Sequence, residues 1–133
     1  MENLIGTWEH VKEETTGVDE FIEANAVPSP AKEMIKEKGG NLTIRRDGDQ
    51  WFTETINGDR TDTINFRLGE EGTYKFGPME TKIMSTWEDG KLLGTHTRND
   101  RVIKTACYVS GDRLIVETTA SGATMVNKYK RLS

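Results

Sequence analysis

Cysteine, histidine and proline are nearly missing from this chain of 133 residues, which holds one, two and three of them. Cys107 has no partner for an intrachain disulfide and no companion thiolate for a zinc site, and a lone thiol fits the reducing cytosol. His10 and His96 form no cluster at metal-ligand spacing, so no metal is expected. No Gly-rich phosphate loop precedes a helix, no Gly-x-Ser-x-Gly elbow occurs, and the serines sit mainly in turns. These absences point away from an enzyme, so no catalytic residue and no cofactor are assigned. Cations are in deficit too: a net charge of −4 opposes binding to nucleic acid, whose affinity rests on Lys and Arg neutralising phosphates. No apolar run approaches the roughly 20 residues that span a bilayer. The opening Met1-Glu2-Asn3-Leu4-Ile5 lacks a basic region followed by an apolar stretch, so it is not read as a signal peptide, and a cytoplasmic location is expected.

What is present is turn chemistry. Asp47-Gly48-Asp49, Asn57-Gly58-Asp59, Gly69-Glu70-Glu71-Gly72, Asp89-Gly90, Asn99-Asp100, Ser110-Gly111-Asp112 and Ser121-Gly122 punctuate the chain from Asn41 onward. Gly, Asn and Asp tolerate the positive φ of tight hairpins, so the pattern predicts a ladder of antiparallel strands. Between the turns, Leu42-Thr43-Ile44-Arg45 and Arg113-Leu114-Ile115-Val116-Glu117-Thr118 alternate with period two, giving one wet face and one inner face. About ten strands are predicted, near residues 5–14, 41–47, 50–57, 61–67, 71–76, 80–87, 91–98, 101–109, 112–119 and 124–131. Hydrophobic residues make up 34% of the chain and charged ones 30%, too lean for a solid core but adequate for a shell around a cavity. With no linker or repeat, residues 1–133 read as one domain.

One segment departs from strand spacing. Val18, Phe21, Ile22 and Asn25 share a helical face, with Thr16 expected as N-cap and Asp19 three residues on. A second short helix is expected from Ser29 and Pro30 through Ala31, Met34 and Ile35 to Gly39-Gly40. The pair, about residues 16–38, has the form of a helix-turn-helix lid after the first strand. Lys32, Lys36 and Lys38 on its second helix are candidates for transient contact with an acidic membrane.

Gly6-Thr7-Trp8, the early helical pair and Phe66-Arg67-Leu68-Gly69-Glu70-Glu71 together resemble the intracellular lipid-binding proteins, the fatty-acid, bile-acid and retinoid carriers. The likeness covers the whole chain. It implies an all-β fold, a ten-stranded antiparallel up-and-down β-barrel of two orthogonal sheets with an internal cavity, acting as a monomer that carries a small hydrophobic ligand. Lys130-Arg131-Leu132 and Ser110-Gly111-Asp112-Arg113-Leu114 are similar to the liver-type and ileal bile-acid-binding branch, whereas Tyr129 fits the Arg-x-Tyr pattern of other fatty-acid carriers. The alternative is a secreted lipocalin-type binder or a small barrel enzyme. A lipocalin would normally bring a signal peptide, a cysteine pair and a C-terminal helix.

In the family a carboxylate is usually met by an inward Arg on the eighth strand and an Arg-x-Tyr on the tenth. Here those positions read Cys107 and Asn127-Lys128-Tyr129, so Tyr129 remains and both arginines are gone. Either the ligand head is neutral, or a carboxylate is held elsewhere, with His96 and Arg98 as substitutes. Parity within the family frame places Val116, Thr118, Met125, Asn127 and Tyr129 inward on the last two strands. It places Thr105 and Cys107 inward on the eighth, His96 and Arg98 on the seventh, and Trp51, Thr53, Thr55 and Asn57 on the third. Phe21 and Met34 are expected at the mouth, with Arg60 beside it. Trp8 is expected on the floor with Phe66 and Leu68. A wall this rich in hydroxyls and amides must hold water or meet a ligand bearing several polar groups.

Overall fold

The computed structural model describes residues 2–27, 40–57, 60–76, 79–98 and 101–132, without the side chains of Asn57, Arg60, Lys75, Phe76 and Met79. Ten strands follow one another: β1 Gly6–His10, β2 Asn41–Asp47, β3 Gln50–Asn57, β4 Arg60–Phe66, β5 Gly72–Phe76, β6 Met79–Glu88, β7 Lys91–Arg98, β8 Arg101–Ser110, β9 Arg113–Ala120 and β10 Ala123–Arg131. One α-helix, α1 Val18–Ala24, follows β1. Consecutive strands pair as hairpins, and the order β4-β3-β2-β1-β10-β9-β8-β7-β6-β5 makes one sheet. The first and last strands meet in the middle of that sheet, and its two ends approach each other, β4 lying against β5 and β6, so it curls into a nearly closed barrel. Its ends, β4 and β5, share no ladder among the described residues; Leu68 bridges to Ser85 of β6 there.

The turns behave as their chemistry dictates. Asp89-Gly90 has φ of 53° and 77°, and Ser121-Gly122 has 52° and 78°, so both are two-residue turns with positive φ at each position, whose twist matches the flanking strands. The register then follows: Asn127 faces Val116, which faces Cys107, which faces Leu92.

The first strand is shorter than the expected 5–14. It ends at His10, and Lys12–Glu14 turns into a 3-10 helix, while Val11 turns inward and donates its amide to Lys128 at 2.8 Å. The expected Thr16 cap is also corrected. Gly17, at φ 75°, is the N-cap residue of α1, and no side chain caps it. Thr16 instead exchanges two backbone hydrogen bonds with Val126, at 3.0 and 2.9 Å, and is spent as an extra rung on β10. The inward face of α1 is as expected, with Phe21, Ile22 and Asn25 buried. The second lid helix, with Ser29 to Gly39 and Lys32, Lys36 and Lys38, lies outside the described residues.

The larger apolar cluster fills one end of the barrel. Leu4, Trp8, Ile44, Trp51, Phe66 and Leu114 are buried together there, with Leu68 and Trp87 packed against them. Trp8 donates from Nε1 to the carbonyl of Leu4 at 3.0 Å, and the Arg131 guanidinium lies 4.1 Å from its ring. That is the expected floor. At the other end Phe21 packs with Ala120 and Met125, placing α1 over the β9–β10 hairpin. Asn25 ties the helix down by donating to the carbonyls of Phe21 and Ala120, and Arg101 donates to the carbonyl of Asn25 at 2.8 Å.

Candidate functional site

Cross-strand partners in a sheet share a face, so the ladders fix which side chains line the lumen. Cys107, Thr105, Val116, Thr118, Met125, Asn127 and Tyr129 fall on one continuous wall across β8, β9 and β10. Gly94, His96 and Arg98 extend it across β7. Trp51, Thr53 and Thr55 lie on the same face of β3, opposite Phe66, Ile64 and Asp62 of β4. Asn57 pairs with Arg60 at the far end of that ladder, but their side chains, like Met34, lie outside the described residues.

Burial separates floor from lumen. Trp51, Met125, Asn127 and Tyr129 are buried, whereas Thr53, Thr55, Thr105, Val116 and Thr118 keep accessible surface while pointing toward the barrel axis. Side chains that face inward in a filled core have no such surface. Cys107 makes the contrast sharpest. Burial pushes its thiol up to about 12, yet the residue is only half-buried, as expected of a group deep in the protein beside open space. At pH 8 such a thiol holds roughly one thiolate in ten thousand. Native protein should therefore react with a disulfide reagent at least about 100-fold more slowly than urea-unfolded protein, measured by thionitrobenzoate release.

Two polar groups stand on this wall. In the deep part, His10 Nε2 lies 3.1 Å from Asn127 Oδ1 and 2.9 Å from Thr15 Oγ1, and the His10 and Tyr129 rings are 5.2 Å apart. Asn127 is 1% exposed, and its Nδ2 has no acceptor among the described residues. Its register opposite Val116 places this side chain on the lumen face of β10.

The second group spans β5, β6 and β7. Tyr74 OH is 2.9 Å from His96 Nδ1, with the rings edge to face, and Arg98 Nε donates to Thr81 Oγ1 at 3.1 Å. Thr81 is 1% exposed, so Arg98 is an inward residue of the wall and not a solvated strand end. Burial lowers the His96 pKa, and the Arg98 charge lowers it further, so the imidazole stays neutral near pH 7. Burial raises the Tyr74 pKa against the opposing pull of Arg98 and its hydrogen bonds. Gly94 makes room for the ring: a Cβ there would sit 2.6 Å from Thr105 Oγ1 and 3.2 Å from His96 Nε2.

His96 and Arg98 were readable by parity, but Tyr74 and Thr81 were missed. Their signal was the same alternation carried through the β5–β6 hairpin, where Tyr74 faces Thr81. The His10–Asn127 pair joins residues 117 apart in sequence, and no local pattern announces it. A hollow of about 270 Å³ is lined mostly by outward positions of β6–β8, Met84, Thr86, Leu93 and Lys104 among them, and also touches Gly94 and Thr105 of the lumen wall.

No protein-family model matches the chain. Cellular retinoic acid-binding protein 1 of Bos taurus is 33% identical over 103 residues, covering 73% of this chain and 72% of that protein. The chain belongs to the intracellular lipid-binding protein family. Secretory-abundant heat soluble protein 2 of Ramazzottius varieornatus is 26% identical over 96% of this chain and 78% of that protein. A Schistosoma mansoni fatty-acid-binding protein solved with arachidonic acid superposes with a TM-score of 0.88 over 100% of this chain and 98% of that one, at 22% identity. As a family member the chain has its barrel, with β1 and β10 closing the ring and α1 across one end. Among the described residues no helix is long and apolar enough to cross a membrane, and no group of three or more His, Cys, Asp or Glu side chains gathers for a metal.

Proposed function

We propose that this chain binds and carries one small hydrophobic molecule in the lumen of its barrel, releasing it chemically unchanged. The observation that carries the reading is the set of inward side chains, Thr53, Thr55, Thr105, Val116 and Thr118 among them, that retain accessible surface within a nearly closed ring of strands. Apolar burial at about 25 cal/mol per Å² supplies the attraction, and a few polar groups fix orientation. The relative named for retinoic acid and the structural neighbour holding arachidonic acid point to the same class, a slender lipid with a carboxylate. The wall residues Trp51, Cys107, Met125, Asn127 and Tyr129 would contact the guest, with Phe21 over the opening.

The lone cysteine suits a reducing compartment, and the working location in this reading is the cytoplasm, as a single-domain monomer over residues 1–133. Contact with membranes during transfer falls to Lys32, Lys36 and Lys38, by sequence alone.

A titration with a fluorescent fatty-acid analogue should saturate at one ligand per chain and reverse on adding oleate. Val116→Trp, which projects an indole into the space, should weaken that binding at least about tenfold while leaving the strand circular-dichroism signal in place. No uptake of any acyl, sterol or retinoid probe would refute the carrier reading. Conversion of the bound lipid, seen by mass spectrometry, would favour a barrel enzyme.

A further inference from the structure

We propose that this carrier holds an acyl carboxylate head-outward, at the wall formed by Arg98, Tyr74 and Thr81 near the mouth, with the tail running down to the tryptophan floor. The inference rests on the carrier reading above and adds the class of guest and its direction in the barrel.

The first support is where the cation stands. Asn127, Val116, Cys107 and Leu92 form one row across β10, β9, β8 and β7. Arg98 lies six residues farther along β7 than Leu92, a rise of about 20 Å. It pairs with Arg101, which holds the end of α1, so this cluster is at the lid end. A guanidinium carries five donors in a rigid fork, so Arg98 can engage a carboxylate alongside the partners it already has, Thr81 and Tyr74 among them. Tyr74 OH and Thr81 Oγ1 add neutral polar groups beside it.

The second support is what the deep row lacks. Cys107 stays a neutral thiol, and Asn127 offers an uncharged amide. Asn127 Nδ2 suits a neutral oxygen or a water, but a carboxylate buried there would find no Arg or Lys on that row, only the His10 imidazole already engaged with Asn127 and Thr15, which is costly at low dielectric. Third, the lumen grades in polarity. Trp87 ends that row beside Leu92, and below it come Leu114, Val109 and Trp8, a surface suited to a hydrocarbon end.

The three tryptophans make the direction measurable, because Trp8 and Trp51 belong to the floor cluster and Trp87 packs against it. Two stearates are added to the full-length chain, one spin-labelled near its carboxylate and one near its methyl end, at equal occupancy. The methyl-end label should quench tryptophan fluorescence about twofold or more over the other. Equal quenching, or stronger quenching by the carboxyl-end label, overturns the head-outward arrangement and leaves the carrier reading standing. Failure of both stearates and of oleate to bind also overturns the acyl assignment, and the carrier reading falls with it only if sterol and retinoid probes fail as well. Arg98→Gln should weaken oleate at least about tenfold while oleyl alcohol changes less than about twofold. Equal losses for acid and alcohol would also overturn the proposal. If that variant does not fold, the quenching comparison needs only the natural chain and decides alone.

Discussion

Trp8→Ala should lower the stability of this barrel by about 3–5 kcal/mol, the usual range for emptying a buried Trp site. Trp8 is 1% exposed and shares its cluster with Leu4, Ile44, Trp51, Phe66 and Leu114, all rigidly placed on strands or the first turn. Such a site collapses poorly around a truncated side chain. The indole also satisfies the carbonyl of Leu4 and stacks beneath Arg131, whose guanidinium donates to the carbonyls of Asn3 at 2.7 Å and Ile5 at 3.0 Å. Removing it therefore loosens the N-terminal turn as well as the floor. Thermal melts should show a fall of about 10–20 °C for a domain of this size. A change under about 3 °C would mean that the floor does not depend on this residue.

Gly17→Ala is expected to cost about 3 kcal/mol, an effect out of proportion to one methyl group. Two costs act together. Gly17 has φ 75°, a left-handed conformation that costs an L-residue about 1–2 kcal/mol. A Cβ there would also collide with the carbonyl oxygen of Thr124 and lie 3.4 Å from the Met125 Cα. Neither backbone can retreat easily, because Thr16 and Val126 are locked by their reciprocal hydrogen bonds. Urea unfolding should show a lower midpoint with an unchanged slope. An unchanged midpoint would show that Thr15 to Gly17 does not clamp β10.

Much of this was readable from residue order alone, and the reasons are physical. Period-two alternation and paired turn residues fix a strand's face and both its ends, so β2, β3 and β7 fall where expected, with β6, β8, β9 and β10 within a residue or so. The inward assignments of Cys107, Asn127, His96 and Arg98 follow from the same parity. Thr16 misled because a hydroxyl before a helix is a good cap only when its backbone is free, and here it is engaged on β10. The first strand was overextended because Val11 keeps the apolar spacing after the chain has left the sheet. The His10–Asn127 contact arises where β1 meets β10, which no short window contains, and Tyr74 meets His96 across the intervening β6, two strands away.

The pairing of Trp8 with Arg131 and of His10 with Tyr129 has a temporal consequence. A ribosome delivers β1 before the other strands and β10 after them, so a nascent chain carries β1 with one edge open until all the strands between have been made. The barrel can finish only after β10 has emerged, when a separation of more than a hundred residues closes in one late, entropically expensive event. Until then the hairpins β2–β4 and β6–β9 have a greasy side with nothing to enclose, the window in which chaperones or aggregation compete for them.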